Sequence, residues 1–291
     1  MKKLKLHPEC IKCLLDKHLY KHPYAPEKDR VAYMQAVLTA LAGAEPFESA
    51  PEVVAKIEAV ERKFFGTATD FDSIKRHFNS LMMKLEQKIE ERIKVSENPL
   101  ETALEYSVLG NYIDFGALDS VREEALSEML SDTSTAKLGK GEYESLVRDL
   151  EDGKRLVFLT DNCGEILLDK LFLREISERY PKLEITVIVR GESVLNDATI
   201  EDAREVGLTE DFTVLGNGSN IAGTVLSKIS DDAGRAIDSA DVIIAKGQGN
   251  FETLCGCGKN VYYLFLCKCE MFANRFGVPR FTGMLLNDKR M

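Results

Sequence analysis

From residue 8 to about residue 150, apolar positions recur at helical spacing. The stretch DSIKRHFNSLMMKLEQKIEERIKV is the plainest case. Ile74, Phe78, Leu81, Met82, Leu85, Ile89 and Ile93 share one face and charges fill the other, the pattern of an amphipathic helix. DSVREEALSEML repeats it with Val121, Ala125, Leu126 and Met129, and no alternating β-branched run precedes Leu150. TSTAKLGKGEY, rich in Thr, Ser and Gly, predicts a loop. After residue 154 the pattern changes: RLVFLTD, EITVIVR, DFTVLGN, DVIIAKG and NVYYLFL are five predicted strands, separated by lengths that suit crossover helices. Val242, Ile243, Ile244 and Ala245 are apolar without alternation, as in a strand covered on both faces. The expected fold class is α/β, with a helical domain over 1–150 and a doubly wound, parallel-sheet domain over 151–291.

In such a sheet, ligands bind beyond the carboxyl ends of the strands, and here those ends are polar. They carry Asp161-Asn162, then Arg190-Gly191 with Asn196-Asp197 close behind, Gly216-Asn217, and Lys246-Gly247 followed by Asn250. Asp161, Asn162 and Asp197 offer two carboxylates and an amide carbonyl, hard oxygen donors that suit Mg²⁺ or Mn²⁺ and leave positions for water and a phosphate. Arg190 and Lys246 supply the opposite charge for phosphoryl oxygens, and a helix starting near Gly164 points its first amides at the same place. Each feature has a plainer reading, since Asp and Asn commonly cap helices and KGQGN fits a turn. Convergence at several strand ends favours one site. KGQGN lacks the order of a Walker loop and the spacing of a dinucleotide fingerprint. A phosphorylated-aspartate mechanism of the haloacid dehalogenase type wants a second Asp at position 163, which is Cys.

Charge and composition narrow the field. The 291 residues carry 38 Lys+Arg against 48 Asp+Glu, a formal charge of -10, which argues against nucleic acid as the partner. MKKLKLHPEC is basic without an apolar core, and no stretch reaches the roughly 18 apolar residues of a membrane span. A cytoplasmic protein with reduced thiols is expected, and oligomeric state is left open. Cys10 and Cys13, with Cys267 and Cys269, could form a four-thiolate zinc site or a redox pair, although the later spacing is Cys-x-Cys. His18 and His22 fit exposed helix positions better than a zinc finger.

TDNCGEI, RGESVLNDATIEDA, AKGQGNFETL and, in the helical half, GNYIDF together resemble the metal-dependent damage-control phosphatases, formerly an uncharacterised domain family, in the branch with an N-terminal Cys-x-x-Cys. The resemblance spans nearly the whole chain. It implies a helical domain packed on a Rossmann-like three-layer α/β/α domain, a metal (Mn²⁺ or Mg²⁺, with Co²⁺ or Ni²⁺ as further candidates) on Asp161, Asn162 and Asp197, and activity toward small phosphorylated metabolites. By motif, Glu165, Lys246 and Asn250 would line the pocket and Asn111 and Asp114 would close it from the helical side. Cys163, Cys255 and Cys257 depart from the family pattern. Glu165 would orient or deprotonate the attacking water, or merely suit the helix dipole. Lys246, at the end of an apolar strand, should find Asp161 or Asp197 in the free protein. An S-adenosylmethionine-dependent carboxyl methyltransferase and a non-catalytic phosphometabolite- or metal-binding module stand as alternatives, the first weakened by the single glycine of TDNCGE.

Overall fold

A computed structural model describes residues 4–66, 71–114, 121–136 and 138–291. Phe115 of GNYIDF, Asp119 and Ser120 of DSVREEALSEML, and Lys137 lie outside these residues. Among the described residues seven α-helices come first: α1 (Pro8–Tyr20), α2 (Glu27–Ala42), α3 (Ala50–Phe65), α4 (Phe71–Lys94), α5 (Pro99–Gly110), α6 (Glu123–Ser131) and α7 (Lys140–Asp152). Strands and helices then alternate as β1 (Arg155–Leu159), α8 (Glu165–Arg179), β2 (Glu184–Val189), α9 (Ile200–Glu205), α10 (Leu208–Asp211), β3 (Thr213–Gly216), α11 (Asp231–Ser239), β4 (Val242–Lys246), α12 (Gly247–Leu254), β5 (Val261–Leu266), α13 (Glu270–Phe276) and β6 (Gly283–Asn287).

The six strands form one sheet in the order β3-β2-β1-β4-β5-β6, parallel except for β6, which runs antiparallel to β5. The α/β class is as expected, and all five predicted strands are present. β6 is an addition: MLL is a short apolar run after Gly283, and at the sheet edge one pairing partner suffices. The stretch TSTAKLGKGEY is also more regular than a loop, with a 3₁₀ turn over Thr133–Ala136 and the start of α7 at Lys140.

Strand parity assigns the core. Leu156, Phe158, Val187, Val189, Ile244, Tyr262 and Leu264 face a cluster shared with α4–α8, while Val157, Leu159, Ile188, Ile243, Ala245, Tyr263 and Phe265 face α11–α13. Successive strand residues point to opposite faces, so both faces are covered, which explains the unbroken apolar runs. The seven apolar positions of α4 that share one face in the sequence pattern, Ile74 to Ile93, all lie in or against the first cluster. Helices α1–α3 enclose a third, around Leu14, Tyr33, Val37, Val53 and Ile57, and α3 meets α12. No described helix is long and apolar enough to cross a membrane.

Candidate active site at the β1–β4 rim

The strand order reverses between β1 and β4, the place in an open parallel sheet where ligands bind beyond the carboxyl ends of the strands. Past β1 the chain bridges sideways. Asn162 pairs with Asp197 as an isolated antiparallel bridge, and the amides of Ala198 and Cys163 donate to the carbonyls of Asp161 (2.7 Å) and Asn196 (2.8 Å). These bonds bring the carboxylates of Asp161 and Asp197 to one rim. Gly247, just after β4, makes the close approach possible: with φ +79°, it would place a Cβ 1.9 Å from Asp161 Oδ2, so the carboxylate rests directly on its backbone.

The two loops are pinned from α4. Asn79, fully buried, accepts from the Gly164 amide (2.7 Å) and donates to Asp202 (3.0 Å) and Glu205 (2.7 Å). Asp202 in turn closes the capping box of α9 with Thr199 and pairs with Lys75 at 2.6 Å. One amide therefore ties the loop after β1 to the helix after Asp197.

Arg190 spans the carboxylates. Its Nε donates to Asp197 Oδ2 at 2.6 Å, one terminal nitrogen reaches Asp161 Oδ1 at 3.4 Å, and the other donates to Gly223 O and Asn250 Oδ1. Burial, together with the charges of Asp197 and Glu165, drives the Asp161 carboxyl well above the ordinary range. Burial pushes Asp197 up to about 6 despite Arg190. A cation bound between the two acids would offset that burial and favour their charged forms. The donor set, two carboxylates and an amide carbonyl, fits a hard divalent ion.

Asn162 Nδ2 donates to Asp161 Oδ2 (2.8 Å) and Glu165 Oε2 (2.9 Å). Asn111, at the end of α5, adds its own Nδ2 to Asp161 Oδ2 (3.0 Å) and to both Glu165 oxygens. Asn111 thus lies against both Asp161 and Glu165. Asp114 stands beside it, paired with Lys268, which also donates to the Asn111 carbonyl. Asn250 is present, but its amide is spent on the carbonyls of Thr160 and Lys246 and on Arg190 and Thr224, bonds that hold the rim together.

Two expectations are corrected. Lys246 pairs with neither Asp161 nor Asp197: its Nζ meets Glu165 Oε1 at 2.6 Å, Asp169 Oδ1 at 2.7 Å and the Ser107 carbonyl at 2.7 Å. Parity explains it, since Lys246 follows Ile244 by two and therefore faces α8 and α5. The first amides of α8 are also occupied, Gly164 N by Asn79 and Glu165 N by the Cys163 carbonyl.

Asp169, Ser107, Asn79 and Lys268 are functional neighbours that the sequence reading missed. Signals existed for two of them: Asp169 interrupts the apolar run EILLDKLFL, and Asn79 sits on the apolar face of α4. Cys163 is buried and inert, its thiol pushed far up by burial. The other cysteines are free, and among the described residues no group of three or more His, Cys, Asp or Glu is arranged to hold a metal.

Comparison with known proteins shows the family and the fold. Residues 6–283 match the model of the damage-control phosphatase ARMT1-like domain. A damage-control phosphatase of Archaeoglobus fulgidus is 31% identical over 281 residues, 94% of this chain and 96% of its own. Damage-control phosphatase PH1575 of Pyrococcus horikoshii is 28% identical over 292 residues, 98% of this chain and 99% of its own. The crystal structure of PH1575, described as a DUF89 family protein, superposes with a TM-score of 0.81 at 26% identity, covering 98% of this chain and 99% of that one. Matched from residue 6 to residue 283, the chain belongs to the damage-control phosphatase ARMT1-like domain family.

Proposed function

We propose that this damage-control phosphatase hydrolyses small phosphomonoesters with a divalent ion, Mn²⁺ or Mg²⁺ before Co²⁺ or Ni²⁺, held by Asp161, Asn162 and Asp197. One observation carries the reading. Asn162 spends its amide nitrogen on Asp161 and Glu165, and Asp197 spends only Oδ2 on Arg190, so Asn162 Oδ1 and Asp197 Oδ1 have no hydrogen-bond partner among the described residues. Two hard oxygens free of protein donors among the described residues are what a cation needs. Such an ion would polarise a phosphoryl oxygen and lower the pKa of a bound water.

The residues around it divide the remaining work. Arg190 is the cation at the rim; its long 3.4 Å contact with Asp161 is the one most easily exchanged for a phosphoryl oxygen. Glu165 accepts five hydrogen bonds, from Lys246, from Asn111 twice and from the amide and side chain of Asn162. With both oxygens engaged, Glu165 serves to aim Asn162 and not to take a proton from water. Lys246 has no donor left for substrate and acts through Glu165.

Phosphate release from a panel of small phosphorylated metabolites, with and without each metal, tests the proposal. Metal-dependent release supports it. Binding without release would favour the non-catalytic module, and methyl transfer from S-adenosylmethionine without release would favour the methyltransferase.

A further inference from the structure

Glu165, Lys246 and Asp169 form a line of ionisable groups, each with 0% exposure. Lys246 stands in the middle. An ammonium has three protons, and all are spent: on Glu165, on Asp169 and on the Ser107 carbonyl. Glu165 and Asp169 lie four residues apart on α8, so both project onto the end of β4. Asp169 Oδ1 also accepts from Ser107 Oγ at 2.6 Å, whereas Oδ2 has no partner among the described residues. A buried carboxyl with one orphaned oxygen is costly, and packing alone would be better served there by an apolar side chain.

The proposed chemistry uses Glu165 and says nothing of Asp169. We infer that Asp169, held by Ser107, is a positioning residue: it fixes the Lys246 ammonium against Glu165 Oε1, leaving Oε2 to hold Asn162 with its carbonyl turned toward the metal. This rests on the metal-dependent reading above. The order of action runs from Asp169 to Lys246, then to Glu165 and Asn162. Without the Oδ1 acceptor, one ammonium proton is unpaired, Lys246 turns to find another acceptor, and Glu165 loses its fixed register. Only an acceptor is required, because burial raises the Asp169 carboxyl to about 7 and a neutral amide keeps the same oxygen in place.

The test compares wild type with Asp169→Leu, Asp169→Asn and Ser107→Ala, using calorimetric Mn²⁺ titration, phosphate-release kinetics and melting. Asp169→Leu should weaken Mn²⁺ binding by about 10–100-fold and lower kcat, with little change in KM for the phosphoester. Asp169→Asn should restore most of both, which a role in packing alone would not predict from melting. Ser107→Ala should weaken Mn²⁺ binding to a lesser degree. Wild-type Mn²⁺ affinity in Asp169→Leu, or equal loss in Asp169→Asn and Asp169→Leu, would overturn the inference. If the leucine variant does not fold, unchanged Mn²⁺ affinity in Ser107→Ala overturns it, and weakened affinity there with near-wild-type Asp169→Asn supports it. Wild type that binds Mn²⁺ but releases no phosphate would remove the catalytic reading alone, since the titrations still decide this one. Wild type without Mn²⁺ affinity would overturn both.

Discussion

Replacing Gly247 by alanine separates two effects that usually travel together. The new Cβ would stand 1.9 Å from Asp161 Oδ2 and 2.1 Å from its Cγ. Ordinary contact begins near 3.4 Å, so the carboxylate must retreat by about 1.5 Å, the difference between those distances. Coordination by oxygen tolerates only about 0.2 Å, and the ion therefore loses one of its two anionic ligands. Alanine at φ +79° also strains the backbone by about 1–2 kcal/mol. Gly258 supplies the control: its φ is +78°, yet nothing lies within 4 Å of a Cβ there. Gly258→Ala should lower stability by a similar amount and leave Mn²⁺ binding unchanged. Gly247→Ala should weaken Mn²⁺ binding by about 100-fold or more, the upper end of what disturbed ligand support costs. Calorimetric titration of both variants, with melting as the measure of strain, makes the comparison. Wild-type Mn²⁺ affinity in folded Gly247→Ala would refute the placement of the ion on Asp161.

Asp161→Ala or Asp197→Ala should abolish metal-dependent phosphate release while circular dichroism stays native, and full activity of either at saturating metal would sink the ligand assignment. Lys246→Met strands Glu165 and Asp169, both fully buried, and should cost about 3–5 kcal/mol in denaturant unfolding; unchanged stability would mean the carboxylates hold without the ammonium. Asp169, raised to about 7 from 3.8, keeps its proton in the folded protein after the unfolded chain has lost it, so its stabilising contribution is complete below pH 4 and is lost as pH rises through 7. Metal-free wild type should therefore lose stability relative to Asp169→Asn between pH 4 and pH 7, and a gain over that range would contradict the assignment.

Much of this arrangement is legible in the amino-acid sequence itself. The five predicted strands are apolar without alternation because helices cover both faces of the sheet, and that pattern survives in sequence. The rim was legible for the same reason, since polar residues that end such strands can only gather at one edge. Depth was harder. Placing Lys246 at the rim says nothing of which face it turns to, and only its parity with Ile244 shows that it points down toward α8 and α5. Asn111 was found through the family resemblance, whereas Ser107, one turn earlier on the same helix, looks in sequence like any small helical residue. Its role exists only because α5 packs across α8. The last strand, β6, escaped because three apolar residues at a sheet edge carry too little periodicity to stand apart from a loop.

The most direct test of the metal site is anomalous diffraction from crystals soaked with Mn²⁺ and inorganic phosphate. A single Mn²⁺ peak within bonding distance of Asp161, Asn162 Oδ1 and Asp197 Oδ1, about 2.0–2.2 Å for oxygen ligands of a small divalent ion, with phosphate between the ion and Arg190, is the result predicted. A Mn²⁺ peak elsewhere, with these three side chains still bonded only to protein, would contradict it.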